Sequence, residues 1–193
     1  MTVGFPKQEG DHVTGRSRRL WLWVCSLSAL VLGALLVRGA IYQAIREPPD
    51  YAEIERGLFL GARVEGPPPG TQAVLNLCAL EDGYTVEVCR WEPIRDAEPA
   101  PSLDWLSRQV EFVEEQRRAG RTVYVHCRNG VSRSAMVVLA YLMQTRGWSR
   151  DEALAFARAR RPVVRPNPAF MGLLLEWEQY LQAHGARDTR ASQ

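Results

Sequence analysis

The stretch YVHCRNGVSRS, at residues 124–134, lies between two segments of different pattern. The residues that lead into it, RTVYVHC (121–127), are β-branched and aromatic, which favours a strand. The residues that follow, SAMVVLAYLMQ (134–144), have the apolar density of a buried helix. Cys127 therefore falls on a turn from a strand to a helix.

A turn of this kind can bind an anion, because several backbone N–H groups and the positive end of a helix point into it. Gly130 allows the loop to curl tightly, and Arg133 supplies a planar fork of donors that matches two phosphate oxygens. The same donors favour the thiolate form of Cys127. The sequence thus predicts a phosphate-binding pocket with a nucleophile at its floor. Its phosphate-binding residues would be Arg128, Asn129, Gly130, Val131, Ser132 and Arg133.

The whole chain has 193 residues, of which 46% are hydrophobic and 24% charged, so it can bury one ordinary core. The formal net charge is +2. Arginine far outnumbers lysine, but the arginines are spread along the chain instead of forming one basic stripe. We therefore expect no nucleic-acid partner.

Strand and helix patterns alternate after residue 50, which predicts an α/β domain with a central, mainly parallel sheet flanked by helices. The predicted strands are GLFLGA (57–62), AVLNLCAL (73–80), EVCRWEPI (87–94) and residues 122–126. The predicted helices run from Leu103 to before Gly120, from Ser134 to Arg146, from the capping box at Ser149 to the break at Pro162, and from Asn167 to about His184.

Residues 20–37, LWLWVCSLSALVLGALLV, carry no charge and are about long enough to cross a bilayer as one helix. Trp21 and Trp23 would lie at the membrane interface. We interpret this segment as a single-pass anchor that precedes the globular domain. A cleaved signal peptide and a buried helix are the other interpretations, but Arg38 obstructs the small-residue exit and the segment has no polar face.

The predicted organisation is therefore a disordered tail (1–19), the anchor (20–37), a linker (38–50), the catalytic domain (51–184) and a second tail (185–193). Orientation in the membrane stays open. Cations are denser before the anchor, which favours a cytoplasmic N-terminus. A thiolate nucleophile, however, survives best among cellular reductants, so we expect the catalytic domain to face the cytoplasm.

The motif His-Cys-x-x-Gly-x-Ser-Arg-Ser at residues 126–134 resembles the signature loop of the cysteine-dependent protein tyrosine phosphatase superfamily. Its continuation, GVSRSAMVVLAYLM (130–143), is most similar to the dual-specificity branch. The resemblance covers about residues 51–182 and excludes the anchor and the tails. It implies a dual-specificity phosphatase fold and hydrolysis of phosphate monoesters without a metal or cofactor.

The resemblance also implies roles for the loop residues. Cys127 would attack phosphorus and form a phosphocysteine, while Arg133 and the loop amides would bind the equatorial oxygens. Ser134 or Ser132 would stabilise the departing thiolate, and the family pattern favours Ser134. His126 would fix the loop by hydrogen bonding.

In the family, an aspartate some thirty residues before the cysteine protonates the leaving group. Asp96, in PIRDAEPAP (93–101), is our candidate, and it would activate water in the second step. Asp104 competes for this role, although a carboxylate at a helix start has a capping explanation. Glu98 is a further alternative.

Two more segments resemble the family. RRPVVRPNPAF (160–170) matches a segment whose asparagine braces the phosphate loop, so Asn167 is expected to do so, to cap a helix, or both. NLCALEDGY (76–84) resembles a stretch of tensin-type lipid phosphatases whose cysteine pairs with the nucleophile on oxidation. Cys78 is thus a candidate redox partner of Cys127, or else a buried thiol that acts as a small hydrophobe. The cysteines have no metal-binding spacing.

The substrate is less constrained. Phosphotyrosine, phosphoserine and phosphothreonine proteins fit the implied chemistry, and the anchor adds phosphoinositides or phosphatidylglycerophosphate as an alternative. Arg128 is the one cation among the loop residues between the cysteine and Arg133, which favours phosphoproteins because multiply charged headgroups require several cations. An inactive phosphate-binding adaptor is the remaining hypothesis, although the cysteine, arginine and acid are all present.

Overall fold

This computed structural model describes Leu32, Gly33, Leu35 and residues 50–191, with side chains as far as residue 184. The chain divides into two compact units, Met1–Glu47 and Pro48–Gln193. The predicted anchor therefore lies outside the described residues, except for three positions that are helical. Within the described parts of the chain, no helix is both long and apolar enough to cross a membrane.

The second unit contains a mixed sheet in the order β1-β2-β5-β3-β4. The five strands are β1 Tyr51–Glu55, β2 Leu58–Gly61, β3 Ala73–Asn76, β4 Val88–Trp91 and β5 Val123–His126. β1 is antiparallel to β2, and all other pairs are parallel. The prediction of a mainly parallel sheet flanked by helices is confirmed, with one antiparallel strand at the edge.

Three strands differ from the sequence prediction, and one of them is β4, which ends at Trp91 instead of at the predicted Ile94. β1 was not predicted, because it is short and mostly half-buried and therefore lacks a strong apolar pattern. β3 ends at Asn76, four residues before the predicted end at Leu80. The Asn76 side chain accepts a hydrogen bond from the Cys78 amide (2.7 Å) and donates one to the Leu80 carbonyl (3.0 Å), so it supports a turn in place of a continued strand.

Four helices follow the predicted pattern. They are α1 Leu103–Arg118, α2 Arg133–Arg146, α3 Arg150–Arg160 and α4 Pro168–Ala191. Gly147 ends α2 in the left-handed conformation, and the Ser149–Glu152 capping box opens α3. α4 passes the predicted end at His184, because a single glycine at 185 costs a helix only about 1 kcal/mol and good helix formers follow it.

The hydrophobic core lies between the sheet and α2, which is the most buried helix. Val123 and Val125 of β5 belong to this core, whereas Tyr124 and His126 point to the opposite face because strand side chains alternate. In the sheet register, His126 lies level with Gly61 of β2 and with Asn76 of β3. The carboxyl ends of three neighbouring strands therefore meet where the signature loop begins, which is where ligands bind in open α/β sheets.

Candidate active site

The loop that follows β5 is held against the end of β2 by backbone contacts. Gly130 has φ of 62°, and a Cβ there would lie 2.3 Å from the carbonyl carbon of Gly61. Ala62 and Asn129 form an isolated antiparallel bridge, and the Cys127 amide donates to the Gly61 carbonyl at 3.3 Å. A side chain at residue 130 would push the loop away from β2, so the glycine is required both by its conformation and by the available space.

Arg161 supports the loop from the other side. The residue is only 3% exposed, and its Nε and Nη2 donate to the carbonyls of Gly130 (2.8 Å) and Asn129 (3.2 Å). Such bonds turn the loop carbonyls outward, which leaves the loop amides free to face the interior of the curl. No role was predicted for Arg161 from the sequence. It is the first residue of RPVVRPN (161–167), the segment that resembles the family, and this was the available signal.

The Cys127 thiol lies at the floor of the loop and is almost fully buried. Burial alone raises the pKa of a thiol. The Ser134 hydroxyl, which donates to Sγ at 3.3 Å, lowers it, and so do the amides of Ser134 and Val131 and the charge of Arg133. Together they hold the pKa of Cys127 below its ordinary value. Ser134 thus lies where the resemblance implies.

The Arg133 side chain is oriented by two main-chain acceptors. Its Nη1 donates to the carbonyls of Leu77 (3.2 Å) and Ile94 (3.3 Å). Its Nε is buried and has no hydrogen-bond partner among the described residues; Asp96 Oδ2 lies 3.9 Å away, beyond hydrogen-bond range. A buried donor without a partner is costly, so this N–H is suited to an anion that the loop would hold.

Asp96, the acid that the resemblance implies, lies beside the loop, with its Oδ2 3.9 Å from Arg133 Nε. Its Oδ1 accepts hydrogen bonds from the Ser132 hydroxyl (2.6 Å) and from the Asn167 side-chain amide (2.8 Å). The carboxylate borders a cleft of about 520 Å³ that the loop and the start of α4 also line. By contrast, Asp104 is exposed in the first turn of α1 and pairs with Arg108, and Glu98 is also exposed.

Asn167 both caps α4 and braces the site. Its Oδ1 accepts a hydrogen bond from the Phe170 amide at 2.9 Å, which is an N-cap interaction. Its backbone N–H donates to the Ser132 hydroxyl at 3.0 Å, while its side chain holds Asp96. The two interpretations left open by the sequence are therefore compatible, and the brace acts on Asp96 and Ser132.

His126 is fully buried behind the nucleophile, and its main partner was not predicted. Its Nε2 lies 2.9 Å from the carboxylate of Asp82, which is only 3% exposed. The ring stacks on Tyr124, with centroids 5.0 Å apart, and the Tyr84 hydroxyl is 3.5 Å from Nε2. Burial lowers the pKa of His126, and Asp82 opposes this effect. The pair ties the loop between β3 and β4 to the residue that precedes the nucleophile.

Cys78 lies in the same buried region, with its Sγ 3.8 Å from His126 Nδ1. Burial, followed by the neighbouring Cys127, raises the pKa of Cys78 to about 11, so it is a neutral thiol near pH 7. Cys78 and Cys127 are both free thiols. The structure thus places the candidate redox partner near the catalytic loop without a bond between the two sulfurs. The part of the chain with described side chains contains no cluster of three metal-ligating groups.

The comparisons with known proteins agree with this geometry. A family model of the dual specificity phosphatase catalytic domain matches residues 73–180. The chain belongs to that family. Mouse dual specificity protein phosphatase 8 is 41% identical over 97 residues, which are 50% of this chain and 15% of the relative. The region is therefore a catalytic domain of the cysteine-dependent phosphatase type.

Solved structures extend the likeness to the fold. A mouse dual specificity phosphatase complexed with zinc tungstate is 33% identical, with a TM-score of 0.66, over 72% of this chain and 92% of that one. PTPMT1 in complex with PI(5)P is 25% identical, with a TM-score of 0.62, over 70% and 99% of the two chains. The match to the mouse sequence relative spans well under a fifth of that relative's length, so the likeness concerns the catalytic domain.

Removing the Ser134 hydroxyl should raise the pKa of Cys127. In a Ser134→Ala variant, the thiolate fraction below the wild-type pKa should fall by roughly five- to tenfold, the effect of one lost hydrogen bond to a charged group. The measurement is the rate of alkylation by iodoacetamide as a function of pH. Ser132→Ala is the matched control, because that hydroxyl bonds to Asp96 and not to the sulfur. An unchanged profile in Ser134→Ala would contradict the assignment.

Proposed function

We propose that this dual specificity phosphatase domain hydrolyses phosphate monoesters through a phosphocysteine on Cys127. The observation that carries the proposal is the buried Arg133 Nε–H, which has no hydrogen-bond partner among the described residues, together with the Cys127 thiol, whose pKa the charge of Arg133 helps to lower. A phosphate dianion seated there would satisfy that donor and the loop amides together. The same seat would place phosphorus above the sulfur.

In the first step, the Cys127 thiolate attacks phosphorus and the bond to the ester oxygen breaks. Arg133 and the loop amides bind the equatorial oxygens as charge redistributes. Asp96 gives its proton to the departing oxygen. Support for Asp96 in this role comes from its place beside Arg133 and from the Ser132 and Asn167 contacts that orient it.

In the second step, water attacks the phosphocysteine, and the sulfur–phosphorus bond breaks to release inorganic phosphate. Asp96 takes a proton from the attacking water, which restores the acid for the next turnover. The Ser134 hydroxyl stabilises the departing thiolate, a role supported by its 3.3 Å hydrogen bond to Sγ. The reaction needs no metal or cofactor.

We propose phosphotyrosine, phosphoserine and phosphothreonine proteins as the substrates. Residues of the signature loop line a cleft that also contains Arg63 and another that also contains Asp96, and an extended peptide chain would have room in either. Clefts of this size beside the loop suit phosphorylated side chains of different length. The proposal also agrees with the dual specificity relatives of the domain.

A phospholipid substrate is the second candidate. It is favoured by the likeness to PTPMT1, whose structure holds PI(5)P. Counting cations only within the signature also understates the charge of the site, because Arg63 and Arg165 line the two clefts beside the loop. Phosphoinositides and phosphatidylglycerophosphate are the headgroups considered.

A catalytically idle phosphate-binding adaptor would bind phosphate without turnover. We expect instead that the wild-type protein hydrolyses p-nitrophenyl phosphate. Cys127→Ser should abolish hydrolysis, because serine is a far weaker nucleophile, yet retain the binding of inorganic phosphate measured by calorimetry. Wild-type binding without hydrolysis would support the adaptor and contradict the enzyme.

The assignment of Asp96 as the acid predicts a dependence on the leaving group. Asp96→Ala should slow hydrolysis of phenyl phosphate by roughly 10²- to 10³-fold, and that of an ester with a good leaving group by much less, because a good leaving group needs no proton. Steady-state rates across a series of aryl phosphates measure this difference. Asp104→Ala is the control and should leave the series unchanged. Equal slowing of all esters by Asp96→Ala would remove Asp96 from this role.

We also propose that residues 20–37 anchor the protein in a membrane, with the catalytic domain in the cytoplasm. The proposal rests on the uncharged sequence of that segment. The full-length chain should stay with membranes after an alkaline wash, and deletion of residues 20–37 should release it. External protease should spare the domain in sealed cells. Release of the full-length chain by the wash would contradict anchoring.

A further inference from the structure

Arg63 is a cation beside the catalytic loop that takes no part in the two proposed chemical steps. It follows β2 and lines a cleft of about 530 Å³ together with Cys78, Ala79, Leu80, Arg128 and Arg133. Arg133 lines this cleft and also belongs to the proposed phosphate-binding loop, so the cleft lies next to the phosphate site. Anything bound in the cleft would therefore neighbour the scissile phosphate.

The Arg63 side chain is already fixed in position. Its Nη2 donates to the Glu81 carbonyl at 2.9 Å, and its Nε lies 4.0 Å from the buried Asp82 carboxylate. Its backbone N–H donates to the Arg128 carbonyl at 3.3 Å, which sets its distance from the signature loop. A cation held in this way loses little conformational entropy when it binds a ligand.

Arg63 nevertheless keeps donors for a ligand. Its side chain is 40% exposed, and its Nη1 has no hydrogen-bond partner in the part of the chain that the structure describes. The scissile phosphate would be held by Arg133 and the loop amides. An anion that reaches Arg63 must then be a second group of the same substrate.

Resting on the proposed phosphatase function, we propose that Arg63 forms a subsite for a second anionic side chain, a carboxylate or a phosphate, next to the scissile phosphoresidue of a protein substrate. The cleft has room for more than one side chain. Leu80, which is 63% exposed, forms an apolar wall beside the cation. An alternation of charge and apolar surface suits an extended peptide.

A lipid headgroup fits this subsite less well. Asp82 offsets part of the charge of Arg63, so the cleft presents less positive charge than its three arginines suggest. A headgroup with several phosphates gains most from several cations without acidic neighbours. One carboxylate or phosphate on a peptide needs only the donors that Arg63 keeps on Nη1.

The test compares paired phosphopeptides that differ only by Glu or Gln at one position, scanned on both sides of the phosphoresidue. The wild-type full-length protein should give a higher kcat/KM for Glu than for Gln at one or more positions. Arg63→Gln should reduce that ratio by roughly five- to tenfold, the effect of one lost charge-assisted contact. Arg63→Lys should keep part of the ratio. Arg118→Gln is the control, since Arg118 ends α1 and lines neither cleft, and should keep all of it.

A salt titration of the wild-type ratio provides a measurement that depends on no variant. The ratio should fall as ionic strength rises, because a partly exposed ion pair is screened. Equal wild-type rates on every peptide pair, or a ratio that persists in Arg63→Gln or at high salt, would overturn the subsite. The Arg63→Gln variant would also be tested on phosphatidylcholine vesicles that contain 5% phosphatidylinositol 5-phosphate. If this variant loses phosphoinositide hydrolysis but keeps the peptide ratio, the peptide subsite is overturned in favour of a lipid headgroup. A wild-type protein inactive even on p-nitrophenyl phosphate would instead contradict the proposed function.

Discussion

The contact between Gly130 and the end of β2 constrains the rest of the site. At this point two backbones approach so closely that a Cβ on residue 130 would overlap Gly61, and the φ of 62° is one that few other residues tolerate. Because the loop turns here, its amides can face the Cys127 sulfur. Two main-chain hydrogen bonds can also form, from the Cys127 amide to the Gly61 carbonyl and from the Arg63 amide to the Arg128 carbonyl. The nucleophile therefore depends on a contact that contains no charged group.

Buried polar side chains then hold this backbone in its curl. Arg161 donates hydrogen bonds to two carbonyls of the loop, and Asp82 pairs with His126, the residue before the nucleophile. Each of these groups would be costly to bury alone, and each is compensated by hydrogen bonds or an opposite charge. The low pKa of the Cys127 thiol follows from this preorganisation, since burial by itself would act in the opposite direction.

Local features of the sequence predicted the parts of the site that depend on local structure. Cys127, Gly130, Arg133 and Ser134 lie on one turn, so their proximity follows from the strand-to-helix pattern, and the capping residues identified the helix starts. Asp96 was found through its distance from the cysteine within a family pattern. Asp82 was missed because its partner His126 is 44 residues away, and Arg161 because its partners are 31 and 32 residues away. Arg63 was missed because its side-chain partners lie on another loop. Single-sequence patterns do not show which buried acceptor a distant arginine or carboxylate will meet.

The most direct test of the central claim is to trap the intermediate on the sulfur. The wild-type protein would be mixed with an aryl phosphate, quenched with acid within milliseconds, digested, and examined by mass spectrometry for the peptide that contains Cys127. The account predicts a phosphoryl group on Cys127 that forms and decays at rates consistent with turnover. Phosphate release with an unmodified Cys127 peptide at every quench time, or a phosphoryl group on another residue, would contradict it.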